Sequence, residues 1–269
     1  TVGGHVRDPD LRNRSVAVEA RPEASSTEAA PTAPPTADGP ILPHELDRLF
    51  RDLTGTTGIC IAVSGGSDSM ALLHLLHVWR RRQSTPPPLL AVTVDHGLRA
   101  ESAEEARWVG AQAATMAVEH KTVCWTGPKP QSGLQDAARA ARYRLLFDAA
   151  RRAGCTAIVT AHTQDDQAET LLMRLARGSG VDGLSGMQTR TMIEGIAVVR
   201  PLLAVSKARL TATVQAAGIS WQEDPSNGDP RFERVRIRLA GVAREALGLT
   251  LPQLARSGRR LSRARLALD

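Results

Sequence analysis

From residue 58 onward, short apolar runs alternate with stretches of helical periodicity, and few architectures accept that alternation. Gly58 to Val63 is a brief apolar run closed by Ser64-Gly65-Gly66. Asp68 to Arg82 then sets Met70, Leu72, Leu73, Leu75, Leu76 and Trp79 at helical spacing, and Pro86-Pro87-Pro88 stops it. The pattern recurs as strands over 89–94, 119–125 and 157–160, with helices over 101–116, 134–153 and 164–177. Buried strands joined by helices predict an α/β fold, a doubly wound parallel sheet covered on both faces. Ligands of such sheets sit at the carboxyl ends of the strands.

Both ends of the chain read differently from this body. Residues 1–40 hold 6 of the 16 prolines, and Pro22 to Pro40 has almost no large apolar side chain. Such a stretch buries too little surface to offset its ordering entropy, so a disordered leader is expected there. Residues 41–230 are nearly neutral at +1, whereas residues 231–269 carry +7. The expected division is a leader over 1–40, a catalytic body over 41–230 and an Arg-rich helical tail over 231–269. A basic cluster of that kind suits a polyanion. A solvated helix face is the alternative, since only 3 of the 34 basic residues are Lys.

Several classes fall away. No run of about 18 apolar residues could span a membrane, and no basic-then-apolar start marks a secretory signal. The first residue, Thr1, fits a fragment or a processed chain. Cys60, Cys124 and Cys155 show neither zinc nor redox spacing and read as small buried hydrophobes, a usage that fits a reducing cytoplasm.

The chemistry concentrates at the predicted strand ends. Ser64-Gly65-Gly66-Ser67-Asp68-Ser69 lies between a strand and a helix. Its glycines permit close backbone approach, and the helix amides and dipole favour an anion. This is a phosphate cradle, although it lacks the Lys of a Walker A loop. Asp95 and His96 end the second strand, where Asp95 could hold ribose or a water shell, or simply close a turn before Gly97. Asp165 and Glu169 are four apart on one helical face. Such a pair suits Mg²⁺ or an ammonium, or merely answers the helix dipole. Arg139 and Arg142 share a helix with Tyr143, either as an outer face or as a planar grip on phosphate. Gly178 to Met187 reads as a mobile loop, and Ser206 as the cap of a helix through Gln215.

The hexapeptide resembles the pyrophosphate loop of the N-type ATP pyrophosphatases, the PP-loop superfamily with an adenine nucleotide alpha hydrolase-like fold. Further stretches resemble its tRNA(Ile)-lysidine synthetase family: Val94-Asp95-His96-Gly97-Leu98-Arg99, Ala138-Arg139-Ala140-Ala141-Arg142-Tyr143, Ala161-His162-Thr163-Gln164-Asp165-Asp166-Gln167-Ala168-Glu169-Thr170, Arg177 to Met187, Arg200-Pro201-Leu202-Leu203 and Glu223-Asp224-Pro225-Ser226-Asn227. The resemblance covers about residues 56–240 and implies a ligase. The wobble cytidine of a CAU anticodon would be adenylated by ATP and then attacked by free lysine.

By the same resemblance, Ser64, Gly65, Gly66, Ser67, Asp68, Ser69, Asp95 and His96 bind ATP. Asp68, Arg139, His162, Asp165, Asp166 and Glu169 are the implied catalytic set, with Asp68 and Asp165 toward Mg²⁺. Arg142, Arg177, Arg234 and Arg238 are the implied tRNA contacts. The implied cofactors are ATP and Mg²⁺, and the implied partners tRNA(Ile) and free L-lysine, met in the cytoplasm without a membrane; a homodimer is allowed. Val235 stands where the family pattern has Asn, which removes a local hydrogen bond or a tRNA contact. Family members continue into a C-terminal region that grips tRNA; this chain has a short Arg-rich segment at that point. Rival readings are another adenylating enzyme of the superfamily, such as a tRNA thiolase, or a non-catalytic RNA-binding relative. The absence of motif cysteines speaks against a sulfur relay, and the intact Gly-Gly and carboxylate positions against lost catalysis.

Overall fold

A computed structural model describes residues 38–97, 101–130, 132–224 and 228–268. Of the sequence readings, the leader as far as residue 37, together with Leu98, Arg99 and Pro225-Ser226-Asn227, lies outside the described residues. The described strands are β1 (Ile59–Ala62), β2 (Leu89–Asp95), β3 (Glu119–Cys124), β4 (Ala157–Val159), β5 (Arg190–Ile193) and β6 (Ile196–Val199). The helices are α1 (Leu46–Leu49), α2 (Ser67–Arg80), α3 (Ser102–Thr115), α4 (Leu134–Arg152), α5 (Gln164–Ala176), α6 (Val181–Leu184), α7 (Lys207–Ala216), α8 (Glu233–Leu239), α9 (Gly241–Ala246) and α10 (Leu251–Leu268).

The strands form one sheet in the order β3-β2-β1-β4-β6-β5. Parallel pairing runs on both sides of β1, with Ile59 opposite Leu89 and opposite Ala157. Successive side chains of β1 enter opposite layers. Ile59 and Ile61 join Met70, Leu73 and Leu76 of α2 and Leu210 and Val214 of α7. Cys60 and Ala62 join Leu146, Phe147 and Ala150 of α4. Leu72, Leu73 and Leu76 are wholly buried, each contributing roughly 1.5–3 kcal/mol of transfer free energy.

The doubly wound α/β expectation holds, with one addition at the edge. There β5 runs antiparallel to β6, through a turn in which Glu194 and Gly195 have φ of 49° and 80°. Two successive positive φ values make a tight hairpin turn whose twist matches the strands. Beyond the sheet, α10 packs along α5 and α6 and buries Leu254 against Ala168 and Leu171. Val235 is itself buried, so an apolar side chain suits its position.

The winding also locates the site. Strands β2 and β3 lie to one side of β1, and β4 and β6 to the other. The crossovers therefore leave in opposite directions, and a crevice opens at the carboxyl ends of β1 and β4.

Candidate active site

A cleft of about 1940 Å³ occupies that crevice. One wall is the loop from Ser64 to Ser69. Gly65 has φ of 91°, and a Cβ there would lie 3.3 Å from Val109 Cγ2. Only glycine takes that backbone without strain. The Gly65 carbonyl accepts the Gln222 N–H at 2.9 Å, which holds the loop against the 221–222 segment. Inside the loop, the Ser64 N–H donates to Ser69 Oγ at 3.2 Å, and the Ser69 hydroxyl donates to the Gly66 carbonyl at 2.9 Å. Gly66, the N-cap of α2, has no side chain with which to cap it. The first-turn amides of Ser67, Asp68 and Ser69 thus meet the cleft at the positive end of a helix.

At the end of β2, Asp95 and His96 part company. Asp95 Oδ1 accepts the Gly97 N–H and the Ser102 hydroxyl, both at 2.7 Å. These bonds, Ser102 foremost, hold its carboxyl below the usual range. It closes a turn and does not line the cleft, whereas His96 does. His96 Nδ1 is buried without a hydrogen-bond partner among the described residues, and its ring meets Trp125 edge-on at 6.0 Å.

Across the cleft, α4 presents Arg139 and Arg142. Neither meets a carboxylate at ion-pair distance among the described residues; Arg139 lies 5.2 Å from the Tyr143 ring centre. Burial works against the charge of Arg142. An anionic ligand would relieve that cost.

The carboxylates of α5 are held by partners far along the chain. Asp166 closes a capping box with Thr163, accepting its N–H at 2.8 Å and its hydroxyl at 2.9 Å. It also accepts Arg234 Nη1 at 3.1 Å. Burial disfavours its ionisation, but the Thr163 hydrogen bonds and the Arg234 charge outweigh that and hold it below the usual carboxylate range. Glu169, 3% exposed, accepts Arg238 Nε at 2.5 Å and Nη2 at 3.2 Å, with Arg234 at 3.8 Å. Burial outweighs Arg238 and leaves its pKa raised.

Arg234 therefore joins Asp166 and Glu169, which is not the Asp165–Glu169 pair the spacing suggests. Asp165 instead accepts the Lys207 N–H at 2.9 Å and does not line the cleft. Arg177 lines the cleft and pairs with Glu233. The expected mobile loop contains α6 and is tied to α5, because the Gln167 amide bonds both ways to the Met187 backbone, at 2.7 and 2.8 Å. Arg234 and Arg238 thus reach the cleft as partners of these carboxylates.

His162 follows β4, with Nδ1 2.8 Å from Thr160 Oγ1. Burial pushes its pKa down to about 3. The imidazole is neutral at physiological pH and lines the cleft as a hydrogen-bonding group.

Sequence reasoning missed Lys207, the first residue of α7. Its Nζ lies 3.2 Å from Asp68 Oδ2. The available signal was electrostatic, because a cation in the first turn of a helix opposes the dipole and asks for another explanation.

This donor set fits a nucleotide triphosphate. Open amides, a glycine approach and two unpaired guanidiniums face one another across the cleft. For Mg²⁺ the fit is narrower. No group of three or more His, Cys, Asp or Glu gathers among the described residues. Asp68 alone of the two expected ligands lines the cleft. One carboxylate with substrate phosphates and water is a common Mg²⁺ arrangement. No helix among the described residues is long and apolar enough to cross a membrane.

Three comparisons bear on this geometry. A family model described as a PP-loop domain matches residues 40–244. The tRNA(Ile)-lysidine synthase of Bradyrhizobium diazoefficiens is 49% identical over 232 residues, covering 86% of this chain and 64% of that protein. That of Rhodopseudomonas palustris is 49% identical over 225 residues, covering 84% and 65%. The chain thus spans just under two thirds of the length of these relatives. Among solved structures, the U34-tRNA thiolase NcsA of Methanococcus maripaludis superposes with a TM-score of 0.69 at 16% identity, covering 84% of this chain and 78% of that one. At that identity the likeness concerns the fold alone.

Proposed function

The chain belongs to the PP-loop domain family, and from that premise we propose that it ligates free lysine to carbon 2 of the wobble cytidine of tRNA(Ile) with a CAU anticodon. The products are lysidine, AMP and pyrophosphate. The observation that carries this reading is 49% identity to a tRNA(Ile)-lysidine synthase over 86% of the chain. ATP supplies the leaving group, and the residues to hold its phosphates are the loop 64–69 with Arg139 and Arg142. Asp68 is the ligand this chain offers to an accompanying Mg²⁺.

The carbonyl oxygen of the cytidine attacks the α-phosphate and pyrophosphate departs. The lysine ε-amine then attacks carbon 2, AMP departs, and the amine loses a proton. Guanidiniums and amides offset the charge that builds on phosphate oxygens. A free amino acid brings both signs of charge, and both wait side by side in the cleft: Asp166 is acidic, Arg234 and Arg238 basic. Glu169 lies beneath and holds Arg238 in place. Neutral His162 can share a hydrogen bond with phosphate or base. The same reading assigns the reaction to the cytoplasm and allows a homodimer. A sulfur relay finds no support: Cys60 and Cys155 are buried as expected, Cys124 is exposed and not the buried hydrophobe its sequence reading predicts, and no cysteine lines the cleft.

The deciding experiment is incorporation of radiolabelled lysine into tRNA(Ile) bearing CAU, against CAC and UAU variants. Label in the CAU species alone, with one AMP formed per lysine, is expected. No label, alongside AMP formation on another acceptor, would sink the proposal.

A further inference from the structure

We propose that Lys207 is a phosphate-binding residue of the nucleotide site, held in position by Asp165 and resting on Asp68 until the polyphosphate arrives. The proposal deepens the nucleotide reading above and rests on it. Asp68 stands in the first turn of α2, on the same loop whose amides face the cleft. A polyphosphate seated on those amides arrives beside the Asp68 carboxylate and is repelled by it. Asp165 and Asp166 add to the negative charge around Asp68. Among the described residues, the cation in ion-pair contact with that carboxylate is the Lys207 ammonium, 3.2 Å from Asp68 Oδ2 and lining the same cleft.

Stability does not account for this lysine. It is the first residue of α7, whose first turn holds no acidic residue, so its charge works against the helix dipole. Its side chain is 50% exposed, and an ion pair that open is worth little. Its backbone, however, is fixed with care. The Lys207 N–H donates to Asp165 Oδ2 at 2.9 Å, and Ser206 caps the helix by accepting the Arg209 N–H. Asp165 is thus a positioning residue: a carboxylate of α5 pins the start of α7 where the lysine reaches α2. The Walker A lysine that the loop lacks is supplied from a distant element. When phosphate binds, the ammonium exchanges one anionic oxygen for another, and Asp68 is released for a metal.

The test uses the whole chain and reads binding, with neither tRNA nor lysine present. Calorimetric titrations with ATP, AMP and inorganic pyrophosphate in EDTA compare the unmodified protein with Lys207→Met, Lys207→Arg and Asp165→Asn. Lys207→Met is expected to weaken ATP and pyrophosphate about tenfold or more and AMP less than about twofold. Lys207→Arg should stay within about threefold of the unmodified protein, since it restores the charge. Asp165→Asn should show the same selective loss in weaker form. An equal loss for ATP and AMP overturns the proposal, as does unchanged ATP affinity in Lys207→Met, whatever its melting temperature. The first result would make Lys207 a general support of the site and the second only a surface partner of Asp68; both leave the lysidine reading intact. An unmodified chain that binds no ATP would overturn both.

Discussion

Arg238 grips Glu169 with two teeth, Nε to Oε1 at 2.5 Å and Nη2 to Oε2 at 3.2 Å. The carboxylate is almost wholly buried while the guanidinium is 40% exposed, so the pair links the floor of the cleft to its surface. Glu169→Gln keeps the shape and removes the charge, leaving Arg238 half-sheltered without its partner. The expected destabilisation is about 1–3 kcal/mol, less than for a fully buried pair because water reaches the arginine. Urea unfolding measures it. On the proposed function, the KM for lysine should also rise at least about tenfold while ATP binding holds. An unchanged lysine KM would confine the pair to a structural role.

His162 sets an acid limit on stability. Its folded pKa is about 3 against 6.5 for an ordinary histidine, so between those values the unfolded chain binds a proton that the folded one refuses. Stability is therefore fully present above pH 6.5 and falls on acidification toward 3, by up to about 1.4 kcal/mol per pH unit. Asp166, held low in the fold, adds loss in the same direction. Asp68 and Glu169, both raised, act oppositely. Comparing His162→Gln with the unmodified protein separates the histidine from these carboxylates. The variant should show a shallower loss of melting temperature between pH 6.5 and 4.5, and equal slopes would contradict the buried neutral imidazole.

What the sequence discloses here follows from distance along the chain. The loop 64–69 was legible because strand, glycines and helix are contiguous, and local rules suffice to place amides at its mouth. The carboxylates of α5 were legible as residues but not as a network. Arg234 is 68 residues from Asp166, and Arg238 is 69 from Glu169. Helical spacing therefore favoured Asp165 with Glu169, whereas the fold turns Asp165 toward α7. Lys207 was hidden in the same way, 139 residues from Asp68. The β5–β6 hairpin escaped because Glu194 takes a positive φ that glycine, asparagine or aspartate would have advertised.

Gly65 separates backbone strain from crowding. Gly55 and Gly65 both have positive φ, of 79° and 91°, but a Cβ at Gly55 meets nothing within 4 Å. Alanine at either position pays the strain of that conformation, about 1–2 kcal/mol. At Gly65 it also presses on Val109 at 3.3 Å and on Gln222 Oε1 at 3.5 Å. Gly65→Ala should lower the melting temperature more than Gly55→Ala and alone weaken ATP binding. Equal effects of the two would mean that the loop tolerates displacement and does not need its close approach to the 221–222 segment.

The basic tail can be tested without removing it. Leu254 of α10 is buried against α5, so truncation would uncover the floor of the site as well as delete charge. Arg256, Arg259, Arg260 and Arg263 are exposed on the same helix. Replacing these four with glutamine leaves the apolar face in place. If each neutralises one phosphate of the proposed tRNA substrate, the slope of log affinity against log salt should become shallower by about 0.7–0.9 per arginine. Binding assays across a salt series read that slope directly. ATP affinity, set at the far side of α5, should not move. A slope unchanged by all four substitutions would return these arginines to an ordinary solvated helix face.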